Sequence, residues 1–351
     1  MLFNKITIIY NMTSDDEFYI DMKCEYNKEK YDDTTLPWVE KYRPSTLDEI
    51  YGNNIIKESL QQYLKLKQLP HLLLYGQSGT GKTSIINAYA KEAYKNYYCF
   101  MVLQINASEE RGIEIVRNKV KNFVVSKSIY KEQPFKLVIL DEADSMTLSA
   151  QSMLRRIIED FTENARFCLI CNRIKNIDPA IQSRCVNFKF ATLQPNIIKE
   201  KLKLISKINK LNCTDDGLNF INKISKGDMR KAINNLQSLS MSFKLINEEN
   251  ISNFFGYPTH QNINEIYIII INNNKIKDSH QIINNIILKN QYSILELITE
   301  MNEYLLNKFL NNEIKAEKYT DIILKLKSIE KNIYLCPPDE LCISSFIACF
   351  Y

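Results

Sequence analysis

Residues 76–83 read Gly-Gln-Ser-Gly-Thr-Gly-Lys-Thr, a complete phosphate-binding loop in which each set position has its own task. Gly76, Gly79 and Gly81 let the backbone wrap closely around a triphosphate and aim N–H groups at it, with Gln77, Ser78 and Thr80 as spacers. Lys82 reaches the β- and γ-phosphates, and the Thr83 hydroxyl, followed by Ser84, is placed to hold Mg2+. The flanks agree with the loop. Leu72-Leu73-Leu74-Tyr75 reads as a buried strand entering it. Ser84 to Tyr94 reads as a helix leaving it, so the helix N-terminus faces the phosphates. These residues imply nucleotide binding. By themselves they do not separate a kinase, a GTPase, a motor and a switch.

A second strand carries the acids that a metal-bound triphosphate needs. Lys136-Leu137-Val138-Ile139-Leu140 is apolar and ends in Asp141-Glu142-Ala143-Asp144. Asp141 at the strand tip is placed to hold Mg2+ through water, and Glu142 to polarise the attacking water. Asn172 follows the next apolar strand, where a carboxamide reaches the attacking water or the γ-phosphate; alone, it reads more often as a turn residue, and the phosphate loop and the acidic strand tip reverse that. Arg184, in Ser183-Arg184-Cys185, and Arg230, in Gly227-Asp228-Met229-Arg230, are the residue type that stabilises charge on a transferring phosphoryl group. Taken singly, each also reads as a surface ion pair.

The pattern along the chain predicts an α/β fold with a parallel sheet, followed by two helical segments. From about residue 35 to 191, strand-like runs (Leu72–Tyr75, Phe100–Ile105, Leu137–Leu140, Phe167–Ile170, Asn187–Phe190) alternate with helix-like runs. After Leu193-Gln194-Pro195 the pattern is helical: Ile197–Asn209, Asp215–Ser225 and Met229–Met241 form a small domain over 192–255, with Asp215 and Asp228 as expected N-caps. Residues 256–351 again show helical spacing, at Ile294, Leu297, Ile298 and Met301 and at Ile322, Ile323, Leu326 and Ile329, and read as a packing or assembly domain. Residues 1–34 lack sustained periodicity and are expected to be largely disordered.

Composition limits the remaining classes. The longest apolar run, Ile266 to Ile271, is far short of the roughly 20 residues needed to span a bilayer. No N-terminal segment has the core and cleavage site of a signal peptide, so an intracellular location without membrane partners is expected. Nine cysteines, an odd number, fit a reducing compartment. Cys168 and Cys171 form a CxxC within a strand, where a spacing of three puts them on opposite faces, so a buried structural role is expected. The net charge of +4 is modest, and any contact with DNA must come from a local patch.

Taken in order, Trp38-Val39-Glu40-Lys41-Tyr42-Arg43-Pro44, the phosphate loop, Asp141-Glu142-Ala143-Asp144, Ser183-Arg184-Cys185 and Gly227-Asp228-Met229-Arg230 resemble the small subunits of replication factor C, the eukaryotic AAA+ sliding-clamp loader. The resemblance runs from about residue 36 to 245. Phe161 to Asn172 is most similar to the subunit type numbered five in animals and three in budding yeast. It implies ATP and Mg2+ as cofactors, with Asn172 and Arg230 as the two sensors of the nucleotide. Arg184 would be an arginine finger acting in trans on a neighbour's ATP. Tyr42, Arg43 and Pro44 would lie along the adenine pocket. It further implies a lid (192–255), a helical collar (256–351), a ring of non-identical subunits, a sliding clamp and primer–template DNA as partners, and a nuclear location. Gln77-Ser78 departs from the Pro-Pro or Pro-Ala usual in such loops, which bears on loop stiffness and turnover.

Arg111, Arg117 and Lys121 are the candidate DNA contacts. Arg117 and Lys121 share one face of a helix, and in related clamp loaders such helices track the DNA backbone. Gln151, Arg155 and Arg156 sit on the helix after the acidic strand and read first as a face of helix ion pairs, Arg155–Glu159 and Arg156–Asp160 at i,i+4, and second as contacts to DNA or another subunit. Two other functions fit the same motifs: a mainly structural subunit that binds ATP and donates Arg184, and a different AAA+ DNA motor.

Overall fold

The computed structural model describes residues 6–10, 20–24, 36–109, 114, 116–126, 135–272, 276–333 and 340–351. Within the N-terminal extension expected to lack order, β1 (Ile6–Tyr10) and β2 (Ile20–Cys24) pair antiparallel, with Ile8 opposite Met22. The β-branched run Ile6-Thr7-Ile8-Ile9 favours this conformation. The rest of residues 1–34 lies outside the described residues.

The chain divides into two compact units, residues 1–205 with 225–237 and residues 206–224 with 238–351. The first is built on five parallel strands: β3 (Leu72–Gly76), β4 (Val102–Asn106), β5 (Lys136–Asp141), β6 (Ala165–Cys171) and β7 (Val186–Phe190). Their order across the sheet is β4-β5-β6-β3-β7. The strands fall where the apolar runs predict them, except that Phe100 and Met101 end a short helix (Tyr98–Met101) instead of opening β4.

Both faces of the sheet are covered, which is why its central strands are continuous apolar runs and do not alternate. On one face, Leu72, Leu74, Ile139, Cys168 and Ile170 pack with Ile56 and Leu60 of helix Asn54–Leu66 and Ile85, Ile86 and Tyr89 of helix Lys82–Tyr94. On the other, Leu73, Val138, Leu140, Phe167 and Leu169 pack with Leu154, Ile157 and Ile158 of helix Leu148–Asp160. Thr147 caps that helix, its Oγ1 accepting the Ala150 N–H at 3.3 Å. Cys168 and Cys171 do lie on opposite faces. Burial raises both thiols, Cys168 well above the ordinary value and Cys171 to about 12, so neither is a ready thiolate. Among the described residues no cluster of metal-ligating side chains is found.

The second unit is helical. Helices His260–Asn272, Ile276–Asn290, Ile294–Leu310, Ala316–Ile333 and Glu340–Ala348 enclose Ile266, Leu297, Met301, Leu326 and Phe346. The run Ile266–Ile271 lies within the first of these, and no described helix is long and apolar enough to cross a membrane. Three expectations for the helical segments are corrected. The segment 192–255 also holds a parallel pair of two-residue strands, β8 (Asn212–Cys213) and β9 (Leu245–Ile246). Helix Asp215–Ser225 is capped by Thr214, whose Oγ1 accepts the Gly217 N–H at 3.0 Å, so Asp215 falls in its first turn. The segment around Arg117 is a π-helical turn, Val116–Val120, leading into helix Lys121–Val125.

Candidate nucleotide site

The phosphate loop leaves the sheet between its neighbours β6 and β7. Gly76 has φ of +146°, and a Cβ built there would lie 2.4 Å from the Phe190 carbonyl oxygen on β7. Only glycine turns the chain out of the sheet so close to another backbone. Thr80 Oγ1 donates to the Gln77 carbonyl at 2.9 Å and closes the loop on itself. The helix Lys82–Tyr94 then begins with Lys82 and Thr83 already buried.

Lys82, only 7% exposed, spends its three protons on three oxygens: the Gly76 carbonyl at 2.8 Å, the Gln77 carbonyl at 2.7 Å and Asn172 Oδ1 at 3.0 Å. Burial pulls its pKa below the usual lysine value, and the Asp141 carboxylate partly opposes that. Thr83 Oγ1 donates to Asp141 Oδ2 at 2.8 Å. Loop, acidic strand tip and the residue after β6 are therefore joined by direct hydrogen bonds across three adjacent strands.

Glu142 has φ of +53°, the left-handed region that a residue with a side chain adopts at a cost of about 1–2 kcal/mol. Its N–H donates to Asp141 Oδ1 at 2.9 Å, and the turn leaves the side chain exposed at the strand tip. Asp144, which sequence reasoning treated only as part of the motif, accepts the N–H groups of Asn172 (3.3 Å) and Arg173 (3.1 Å) on Oδ2 and fixes the turn that presents Asn172.

Two neighbouring clefts share Gly79, Thr80, Gly81 and Arg230. The polar one, about 510 Å³, is lined by Ser78, Lys82, Thr83, Asp141, Glu142 and Asn172 as well. The less polar one, about 700 Å³, is lined by Tyr42, Arg43, Pro44, Ser84, Ile50, Tyr51, Leu193, Lys201 and Ile233 among others. Gly76 and Gln77 line neither and act through their carbonyls on Lys82. A polar chamber with a lysine and two glycines beside an apolar chamber fits a nucleotide, phosphates in one and base in the other. Tyr51, Lys201 and Ile233 were not picked out in the sequence. Lys201 Nζ sits 5.0 Å from the centre of the Tyr51 ring, and burial lowers its pKa. Lys201 and Ile233 lie on helices Pro195–Ile208 and Met229–Ser242, and Tyr51 lies just before helix Asn54–Leu66; no motif marks these positions in the sequence.

Arg184 lines neither cleft. Its Nη1 donates to the Ala180 carbonyl at 2.7 Å, and its Nη2 pairs with Glu159 at 2.6 Å. Glu159 also lies 3.9 Å from Arg155 Nε, the expected i,i+4 neighbour, so Arg184 is its closer partner. Gln151 is buried, not on the helix surface: its amide donates to the Asn176 carbonyl at 3.0 Å and accepts the Asp178 N–H at 2.8 Å. Arg111 and the side chain of Arg117 lie outside the described residues, and Lys121 is exposed.

Residues 72–193 match the family described as ATPase family associated with various cellular activities (AAA). The chain is 48% identical over 222 residues to human replication factor C subunit 5, a match covering 63% of this chain and 65% of that protein. It is 44% identical over 225 residues to Saccharomyces cerevisiae replication factor C subunit 3, covering 64% of this chain and 66% of that protein. The chain thus spans just under two thirds of the length of these relatives, and they are the subunit types that the sequence resembles. Among solved structures, the Thermotoga maritima RuvB Holliday junction branch migration motor aligns with a TM-score of 0.52 at 18% identity, over 65% of this chain and 79% of that one, a likeness of fold. The parallel sheet, the phosphate loop and the family match agree, and residues 72–193 form an ATPase domain of the AAA family.

Proposed function

We propose that this chain is an ATP-binding and ATP-hydrolysing subunit of a clamp loader, acting with non-identical replication factor C subunits to open a sliding clamp and place it on primer–template DNA in the nucleus. The observation that carries this reading is the split between a complete binding cluster and a detached arginine. Lys82 donates to Asn172 and Thr83, its chain neighbour, to Asp141, while Arg184 is held elsewhere on Glu159. A site arranged in this way receives its arginine from a neighbour and lends its own. The 48% identity to human replication factor C subunit 5 supports the choice of assembly.

In this reading the helix N-terminus and Lys82 hold the β- and γ-phosphates of ATP, and Arg230 approaches from the shared edge of the two clefts. Thr83 and Asp141 present hard oxygen donors side by side, a set that fits Mg2+, which when bound neutralises charge on the phosphates. Glu142 orients water, and Asn172 holds that geometry. Tyr42, Arg43 and Pro44 flank the base. Segment 192–255 serves as lid and 256–351 as collar. Arg111, Arg117 and Lys121 contact the DNA backbone without reading sequence.

The test is co-purification followed by phosphate release. Tagged chain, co-expressed with the other small subunits, is expected to recover them, and ATP hydrolysis is expected to rise when clamp and primed DNA are added. Failure to recover those subunits, or a homohexamer in their place, would refute the reading.

A further inference from the structure

The phosphate loop is tied to a second element by a single carboxylate. Asp228 Oδ2 accepts the Ser78 hydroxyl at 2.9 Å, from 150 positions away in sequence. The other oxygen, Oδ1, accepts the Lys231 N–H at 3.1 Å and so caps helix Met229–Ser242. The carboxylate also lies against the loop backbone. At Gly79, where φ is +69°, a Cβ would fall 1.8 Å from Oδ1, and the Met229 N–H donates to the Gly79 carbonyl at 3.3 Å. Asp228 lines neither cleft, whereas Ser78 lines the polar one and Arg230, two residues beyond Asp228, lines both. The carboxylate therefore braces the loop from outside the cleft, at the start of the helix that carries Arg230 into it.

We propose that Asp228 is a positioning residue: its two oxygens hold the phosphate loop and the Arg230 helix start in one register, so that closure of the loop on a triphosphate and the approach of Arg230 are a single event. The hydroxyl of Ser78 is the loop's half of this latch. Two elements joined only through the ligand would respond to it separately. Two elements already joined share the ordering cost, and the contribution of one depends on the other. The inference rests on the reading of residues 76–83 and Arg230 as an ATP site.

A double-mutant cycle on the full chain tests it, read as equilibrium binding of a fluorescent ATP analogue, with thermal unfolding followed alongside. Arg230→Ala is expected to weaken binding about tenfold in the parent chain and less than about twofold in a Ser78→Ala background, a coupling of about fivefold or more, at the lower end of the range usual between linked sites. Ser78→Thr, which keeps the hydroxyl, is expected to restore the full effect of Arg230→Ala. A merely structural role for Ser78 would lower the unfolding temperature and leave the two effects multiplicative, and that result overturns the latch alone. If Arg230→Ala has no effect while the parent chain binds the analogue, the assignment of Arg230 falls and the latch with it. If the parent chain does not bind the analogue, the proposed function falls first.

Discussion

Arg184 Nη2 lies 2.6 Å from Glu159 Oε1, a cation held by the helix that follows the acidic strand of its own chain. Both side chains are about two-fifths exposed, at 39% and 40%. An ion pair of this kind is worth about 0–1 kcal/mol, so in the proposed trans role Arg184 would leave it at little cost for the stronger anion of a neighbour's nucleotide.

The pair therefore makes an asymmetric prediction. Arg184→Ala should leave ATP binding by the isolated chain unchanged and lower hydrolysis at the adjoining site of the assembled complex by about 10³-fold, in the range of other trans-acting arginines. Glu159→Gln should change that rate by no more than about fivefold. Single-turnover phosphate release from complexes carrying each substitution measures both. Weakened ATP binding by the Arg184→Ala chain alone would place the arginine in its own site.

Lys82 and Glu142 should separate binding from chemistry. The Lys82 ammonium is the only charged donor among the four hydrogen-bonded groups of the site, and its replacement leaves three oxygens without it. Lys82→Ala should weaken ATP binding by about two orders of magnitude, as expected for charge-assisted hydrogen bonds. Glu142→Gln keeps the shape of an exposed side chain at the strand tip, so binding should hold while hydrolysis falls by about 10²–10⁴-fold. Titration calorimetry and steady-state turnover distinguish the two outcomes, and equal losses in both variants would contradict the division of labour.

At Gly76 the obstacle is backbone, which cannot swing aside. A methyl group 2.4 Å from the Phe190 carbonyl would have to part β3 from β7. Gly76→Ala should cost about 2 kcal/mol or more, read as a lower denaturant midpoint without nucleotide. An unchanged midpoint would mean that the edge strand yields freely.

His71 should make the sheet-bearing unit sensitive to acid. Its Nδ1 accepts the Phe167 N–H at 3.2 Å, and burial, aided by the Arg166 charge, lowers its pKa to about 4. Above the ordinary value of about 6.5, the ring is neutral in the folded and unfolded chain alike. Below it, the unfolded chain takes up a proton that the folded one refuses, so stability present above pH 6.5 is lost as pH falls toward 4. His71→Asn, which keeps an acceptor but does not titrate, should flatten that part of the profile. Parallel unfolding curves for the two chains from pH 7 to 5 would exclude His71 as the cause.

Elements that rest on local pattern were legible in the amino-acid order alone. Continuous apolar runs placed the three central strands β3, β5 and β6 because a sheet covered on both faces needs no alternation there, while the edge strands β4 and β7 carry polar residues among their apolar ones. The loop at 76–83, the acids at 141–142 and Asn172 were legible because strand tips are where a phosphate site collects its ligands. What local pattern could not show is which distant groups meet. The pairing of Ser78 with Asp228, of Arg184 with Glu159, and the entry of Tyr51, Lys201 and Ile233 into the cleft all bring together segments far apart in the chain. No spacing in the chain encodes those contacts. They follow from packing, since burying the apolar faces of the helices fixes where their polar residues must fall. The same limit explains Gln151, which has the polarity of a surface residue but is buried because its amide satisfies the backbone of 176 and 178.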